Sequence, residues 1–239
     1  MVRVQRQQLR EKLQKPYDIF EHTYNFNIMP MFDKLSEETE DYIDYLAEDL
    51  MREEGITSLS SDLQKYVVEE GITRQNMYLL MQYNMRLMWI STMYQFWEQQ
   101  VRKFLFDESI QSGYTQFDEN GTGISFEKYC INFGQIKDEF TSFGQNLEEL
   151  NCWSTINELK FLANVIKHGE GRASTNLEKI RPDFFKSEIT DSNLMKLHRT
   201  VLNEQVLNIK DSDLVKYKVA LQNFWEELPD RPYCEIQGI

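Results

Sequence analysis

The fold of this chain is decided by residues 80–104, which read LMQYNMRLMWISTMYQFWEQQVRKF. Large apolar side chains recur in this stretch at alternating spacings of three and four residues, which is typical of an α-helix packed along its whole length. Between Leu87 and Trp97 the stretch is apolar almost all round, so neighbouring elements must cover more than one side of the helix. We therefore predict a long central helix from about Arg74 to Phe106.

The composition favours an all-α helical bundle. The 239 residues are 41% hydrophobic and 13% aromatic, which is enough to bury a sizeable core, and they include only ten glycines and five prolines. We predict an amino-terminal helical region over residues 1–72 that packs on a core over residues 73–239, which ends in a further helix. One continuous domain over residues 1–239 is the alternative.

Capping residues and helix breakers predict the elements around the central helix. These are a basic helix to about Gln14, an acidic helix over Glu37–Glu54 started by Ser36, a short helix after Ser61, a helix over residues 126–143, and an amphipathic helix carrying Leu214, Tyr217, Leu221, Phe224 and Leu228 up to Pro229. Gly55 and Gly71 are predicted to end the second and third of them.

The cysteines and the amino terminus indicate a cytoplasmic protein. Cys130, Cys152 and Cys234 are odd in number and far apart, so neither a disulfide framework nor a zinc site is predicted. The first residues carry charge but no apolar stretch that would form a secretory signal. No phosphate-cradling glycine loop or metal motif occurs, and we expect no metal and no cofactor.

The most informative polar residues lie between Thr155 and Gly169. Thr155 and Glu158 form a T-x-x-E capping box and Gly169 is a typical terminator, which together predict a helix over residues 156–168. Its apolar stripe consists of Ile156, Leu159, Leu162, Ala163 and Ile166. Its polar arc consists of Asn157, Lys160, Asn164, Lys167 and His168.

His168 occupies the last turn of this predicted helix, where unsatisfied carbonyls favour a cation. A histidine that titrates near neutrality can transfer protons in catalysis. The alternative interpretation is that Lys167, His168 and Gly169 form an ordinary helix C-terminus with basic residues before a glycine.

The segment Asn164-Val165-Ile166-Lys167-His168-Gly169, followed by Arg181-Pro182-Asp183-Phe184-Phe185, resembles the carboxy-terminal part of HEPN-like proteins over about residues 147–186. The resemblance implies a small all-α domain of bacterial toxin and phage-defence loci. It also implies metal-independent cleavage of RNA at a site shared between two protomers. Asn164 and His168 match the polar residue and the histidine of the family motif, whereas Ala163 stands where the motif has arginine.

Two functions follow from the resemblance and its departure at Ala163. The first is an interaction or regulatory subunit that binds RNA, working as a homodimer or with a partner protein from the same locus. The alternative is a metal-independent endoribonuclease in which His168 transfers protons and Asn164 orients the phosphate or the histidine. In either function Lys160, Lys167 or Arg172 would neutralise phosphate charge.

Charge is unevenly distributed along the chain, whose net charge is −13. Residues 1–15 carry five basic groups against one acidic group, and residues 160–186 carry six against three. Residues 33–54 carry two basic groups against ten acidic ones. A basic site on an acidic body is predicted if the first two segments adjoin, and solvated helix faces are the alternative.

Overall fold

The chain folds into an all-α bundle around one long helix. The computed structural model describes residues 2–111, 113, 121–186 and 192–229, without side-chain detail for residues 2–6 and 36. In chain order the helices are α1 Val2–Thr23, α2 Met29–Glu54, α3 Ser61–Gln111, α4 Phe133–Ser142, α5 Trp153–His168, α6 Arg172–Ile180, α7 Leu194–His198 and α8 Asp211–Glu227. A π-helical turn over Tyr24–Ile28 joins α1 to α2, and short 3₁₀ turns cover Leu147–Glu149 and Pro182–Phe185.

The core lies where α3, α5 and α8 meet. Leu159 and Leu162 of α5 are fully buried, as are Trp97 of α3 and Phe224 of α8. The rings of Trp97 and Phe224 meet edge to face with their centroids 5.1 Å apart, a favourable aromatic geometry. α1 packs along α8, and α6 packs on α5. Among residues 2–111, 121–186 and 192–229, none of the helices combines the length and the hydropathy that a membrane span requires.

The structure confirms the predicted central helix, since α3 contains residues 74–106. It also confirms the last helix, since α8 ends just before the predicted stop at Pro229. The boundary proposed between residues 72 and 73 falls inside α3, which is continuous there.

Of the cysteines, Cys130 and Cys152 are buried, and burial raises the pKa of each thiol to about 12. Cys234 lies outside the described residues.

Several predicted helix ends are wrong. The first helix continues past Gln14 to Thr23 with Pro16 inside it, because the turn after Pro16 carries Tyr17, which is fully buried. α2 begins at Met29 rather than at Ser36, directly after the π turn, although it ends at Glu54 as predicted.

The helix predicted over residues 126–143 is helical only from Phe133 onward, because Asn132 caps it. The Asn132 side chain accepts a hydrogen bond from the Gln135 N–H at 3.0 Å. The turn before this cap is held by the Arg102 guanidinium, which donates to the carbonyls of Phe126 and Tyr129.

Gly71 does not end a helix, as the sequence suggested, but is buried inside α3. Its role is to let α2 approach, because a Cβ at residue 71 would lie 2.8 Å from Ile43 Cγ1 and closer still to Cδ1. α3 is therefore continuous through Gly71, and this glycine is required by packing rather than by a turn.

We predict that Gly71→Leu forces α2 and α3 apart and lowers the free energy of unfolding by about 1–3 kcal/mol, the usual cost of overpacking. Urea denaturation followed by circular dichroism measures this difference. Thr73→Leu, at an exposed position of the same helix, is the matched control and should change stability by at most about 0.5 kcal/mol. Equal stability of the two variants would contradict the close contact between α2 and α3.

Candidate functional site

α5 positions the residues singled out in the sequence. The helix runs from Trp153 to His168, three residues earlier at its start than predicted. Thr155 does not cap it, because the N-cap position belongs to Cys152 and no side chain accepts a hydrogen bond there. The predicted capping box is therefore wrong, and Glu158 has a different role, described below.

One cleft of about 250 Å³ collects part of the predicted site. It lies between α3, the start of α4 and the polar side of α5. Lys160, Asn164 and Lys167 line it from α5, together with Ala163, which is 6% exposed. Tyr94, Gln95, Glu98, Asn132 and Phe133 complete the lining. Ala163, where the resemblance places an arginine, thus shares a cleft with Lys160 one turn away.

Lys160 is held in the cleft by aromatic rings rather than by a carboxylate. Its ammonium lies 4.3 Å from the ring centroid of Phe133 and 4.7 Å from that of Phe161. Burial, and then the charge of Lys137, lower the pKa of this lysine, while Glu98 acts in the opposite direction. Within the described part of the chain, neither Lys160 nor Lys167 has an ion-pair partner within 4 Å.

The remaining polar groups of the cleft have local partners. The Tyr94 hydroxyl donates to Glu98 Oε1 at 3.0 Å, and burial followed by the charge of Glu98 raises the pKa of this tyrosine. The Asn164 amide donates to the Lys160 carbonyl at 2.9 Å, which leaves its Oδ1 as an acceptor. Asn132 is the N-cap of α4, so the positive end of that helix dipole lies at the cleft.

His168 and Arg172 lie outside the lining of this cleft. His168 is the exposed last residue of α5, and Arg172 is the exposed first residue of α6. Between them Gly169 has a positive φ of 71°, and a Cβ at this residue would lie 2.7 Å from the Arg199 carbonyl oxygen. The polypeptide therefore turns tightly at the tip of α5, and the histidine faces solvent there.

The two basic segments share α8 as a packing partner but differ in their other neighbours. α1, which contains most of residues 1–15, packs chiefly against α8, whereas α5 packs against α3, α6 and α8. Lys218 of α8 binds Asp18 and Glu21 of α1 at 2.6 Å each. Among the described residues that line the α5 cleft, the cations are Lys160 and Lys167 of α5, and none comes from α1.

A second polar cluster, not identified from the sequence, joins α5 to α8. Glu158 is 8% exposed, and its carboxylate accepts from Arg181 at 2.6 Å, Lys216 at 2.8 Å and the Tyr217 hydroxyl at 2.7 Å. Arg181 also binds Asp183 at 2.7 Å and Asp213 at 3.2 Å, and these bonds keep its pKa above the ordinary value although burial acts the other way. Burial and then Glu158 raise the pKa of Tyr217.

This cluster is structural in its geometry, because each charge in it is neutralised by a neighbour at hydrogen-bond distance. Arg181 and Asp183, two of the residues that carry the resemblance, therefore anchor the Pro182–Phe185 turn to α5 and α8. The sequence does contain a signal for Glu158. It lies four and seven residues before Leu162 and Val165, on a side of α5 that is buried.

The residues that line the cleft from α3 and α4 were also missed. Tyr94, Gln95 and Glu98 carry polar groups within the otherwise apolar part of α3, and this contrast could have identified them from the sequence.

No protein-family model, curated protein or solved structure matches this chain.

Proposed function

We propose that this chain is a HEPN-like interaction or regulatory subunit that binds single-stranded RNA through the cleft on α5. The observation that carries the proposal is the pair of ammonium groups, Lys160 and Lys167, that line one cleft without an ion-pair partner in the described residues. The two cations outnumber Glu98, the carboxylate that lines the cleft, so they attract a phosphate, and the amino-terminal end of α4 adds to that attraction. The choice of RNA as the anion rests on the resemblance.

The cleft is suited to a sugar-phosphate backbone more than to a base. Phe133 stacks on Trp153 with ring centroids 5.4 Å apart, and the Lys160 ammonium lies over the Phe133 ring as well. Tyr94 is buried at 5% exposure. Neither ring therefore offers a free face on which a base could stack, and we expect binding with little sequence preference.

The direct test is a fluorescence anisotropy titration with a labelled single-stranded RNA and with the matching duplex. We expect the single strand to bind and its affinity to fall as salt rises, because phosphate contacts release condensed counterions. A stiff duplex seated at the cleft would extend over the rest of the body, whose net charge of −13 repels it, so the affinity for duplex should be weaker. An affinity for the single strand that is undetectable at low salt would remove the proposal.

The endoribonuclease is the second candidate function, and the exposure of His168 favours it. This imidazole is accessible at the tip of α5 beside Lys167, with Arg172 following the glycines. Against it, His168 does not line the cleft that holds the cations, so one chain alone does not bring the proton-transfer group to the phosphate site. A second copy or a partner protein from the same locus would have to complete the site.

We predict that purified protein leaves single-stranded RNA uncut, with or without EDTA. We also predict that His168→Ala has the same RNA affinity as wild type within about twofold, or about 0.4 kcal/mol. Gel analysis of incubated RNA is the measurement. His198→Ala, also exposed, is the matched control. RNA cutting that is present in wild type and His198→Ala and absent in His168→Ala would instead establish the endoribonuclease.

A further inference from the structure

α2 and the first part of α3 form a hairpin, and among the described residues one side of α3 stays largely exposed beside α2. α2 packs chiefly against α3 and the π turn that precedes it. It covers the side of α3 that carries Val67 and Gly71, and Arg74 of the same side stacks over the ring of Tyr42 from α2 at 4.3 Å. On the adjoining side of α3, Val68 and Ile72 remain more than half exposed in the part of the chain that the structure describes.

An apolar stripe occupies that exposed side. Val68, Ile72 and Leu79 are 55%, 56% and 42% exposed. At about 100° per residue these three side chains fall within an arc of about 40°, roughly 110° away from the side that faces α2. A surface helix normally buries such a stripe, so three exposed aliphatic side chains in line indicate a surface for a partner.

The stripe leads into a cleft of about 430 Å³ between α3 and residues 194–209. Leu79, Tyr83 and Arg86 continue the same side of α3 along its floor, and Val206 and Leu207 form the opposite wall. The wall is fixed in place, because the backbone N–H groups of Val206 and Leu207 donate to the Tyr83 hydroxyl at 3.2 and 3.1 Å. From Val68 to Arg86 the surface is about 27 Å long, the length of five helical turns.

Charge decides which occupant suits this surface. Residues 29–78, which form most of the hairpin, carry thirteen acidic against four basic side chains. At the other end Arg86 is already neutralised by Asp211 at 2.7 Å. Two copies of the hairpin would bring like charges together, which opposes self-association, whereas a basic partner would be attracted.

We propose that the stripe and its cleft dock an amphipathic helix of a partner protein, with leucine-like side chains at spacings of three and four and with lysine or arginine along both edges. This docking site deepens the interaction role proposed above and rests on it. It uses none of the residues of the α5 cleft, so the two sites are separable by experiment.

The test uses a fluorescein-labelled Leu/Lys peptide of roughly 18 residues with an amphipathic helical pattern, and a Leu/Glu peptide with the same apolar positions. We expect the Leu/Lys peptide to bind the wild-type chain and the Leu/Glu peptide to bind at least tenfold more weakly. Val68→Asn combined with Ile72→Asn leaves the charge unchanged and should weaken Leu/Lys binding at least tenfold. The control pair is Ile131→Asn with Val219→Asn, at similarly exposed positions elsewhere, and should bind as wild type does.

Three outcomes would overturn the docking site. They are equal binding of the two peptides, equal loss in the stripe variant and the control pair, and a wild-type homodimer in light scattering that the stripe variant dissociates. The last outcome would assign the stripe to a second copy of the chain. RNA titrations of the same samples keep the proposals apart, since the stripe variant should bind RNA normally, and a failed peptide test beside intact RNA binding removes the docking site alone.

Discussion

Glu158→Ala should lower the free energy of unfolding by about 3 kcal/mol or more, because it leaves a partly buried guanidinium and a buried phenol without their shared acceptor. Glu158 accepts from Arg181, Lys216 and Tyr217, and its side chain and that of Arg181 are 10% and 18% exposed. Arg181 keeps Asp183 and Asp213 in the variant, which places the loss at the lower end of the range for broken buried pairs.

Thermal unfolding measures this loss as a fall in Tm of roughly 6–12 °C for a chain of this size. Glu148→Ala is the matched control, since Glu148 is 60% exposed and pairs with the half-exposed Lys137 at the surface. The control should leave Tm nearly unchanged, because solvent screens an exposed ion pair. Glu158→Gln retains an acceptor and should lie between the two. A Glu158→Ala variant as stable as Glu148→Ala would show that the cluster does not hold α5 against α8.

The second large effect concerns RNA. Lys160→Met combined with Lys167→Gln should weaken binding of single-stranded RNA by at least about tenfold, and should lower the slope of log affinity against log salt by about 1.4 for two lost phosphate contacts. Methionine keeps the length and apolar character that lie between Phe133 and Phe161, so the fold should be unchanged.

The control for this double variant removes two positive charges from another part of the surface. Lys65 and Lys196 are exposed and lie on α3 and α7, each beside a glutamate. Lys65→Gln with Lys196→Gln should change the affinity less than about twofold, since exposed charges far from a ligand are screened. Equal losses in the two double variants would mean that net charge alone governs binding and that the cleft is not the site.

The protonation of Lys160 adds a pH dependence with a definite sign. The pKa of this lysine is lowered, mainly by burial and next by Lys137, so it loses its proton at a lower pH than an exposed lysine does. Only the protonated form attracts phosphate. RNA affinity should therefore begin to fall on the alkaline side earlier in wild type than in Lys160→Met, whose weaker affinity should be flat over the same range.

The sequence predicted the helices whose pattern is set locally. The spacing of Leu214, Tyr217 and Leu221 predicted α8. The apolar residues on all sides around Trp97 predicted a helix covered on several sides. Both predictions depend on the periodicity of one segment. Gly55 was read correctly as a stop, since it takes the left-handed conformation with φ of 63°.

Predictions failed where a distant segment decided the outcome. Gly71 resembles a terminator in isolation, but the approach of Ile43 from α2 is what requires it. Glu158 resembles a capping residue, but Arg181 and Tyr217 draw it into the interior. The α5 cleft combines three separate elements, and no periodicity within α5 indicates that Tyr94 and Phe133 face Lys160 rather than His168.

The central claim is that RNA occupies the cleft between α3, α4 and α5. Crosslinking of a single-stranded RNA containing 4-thiouridine, followed by mass spectrometry of the peptides, tests it most directly. We predict crosslinks within residues 94–98, 132–133 and 160–167, which contain the cleft lining, and their loss in the Lys160→Met, Lys167→Gln variant. Crosslinks confined to α1 or to the hairpin of α2 and α3, unchanged in that variant, would contradict the account.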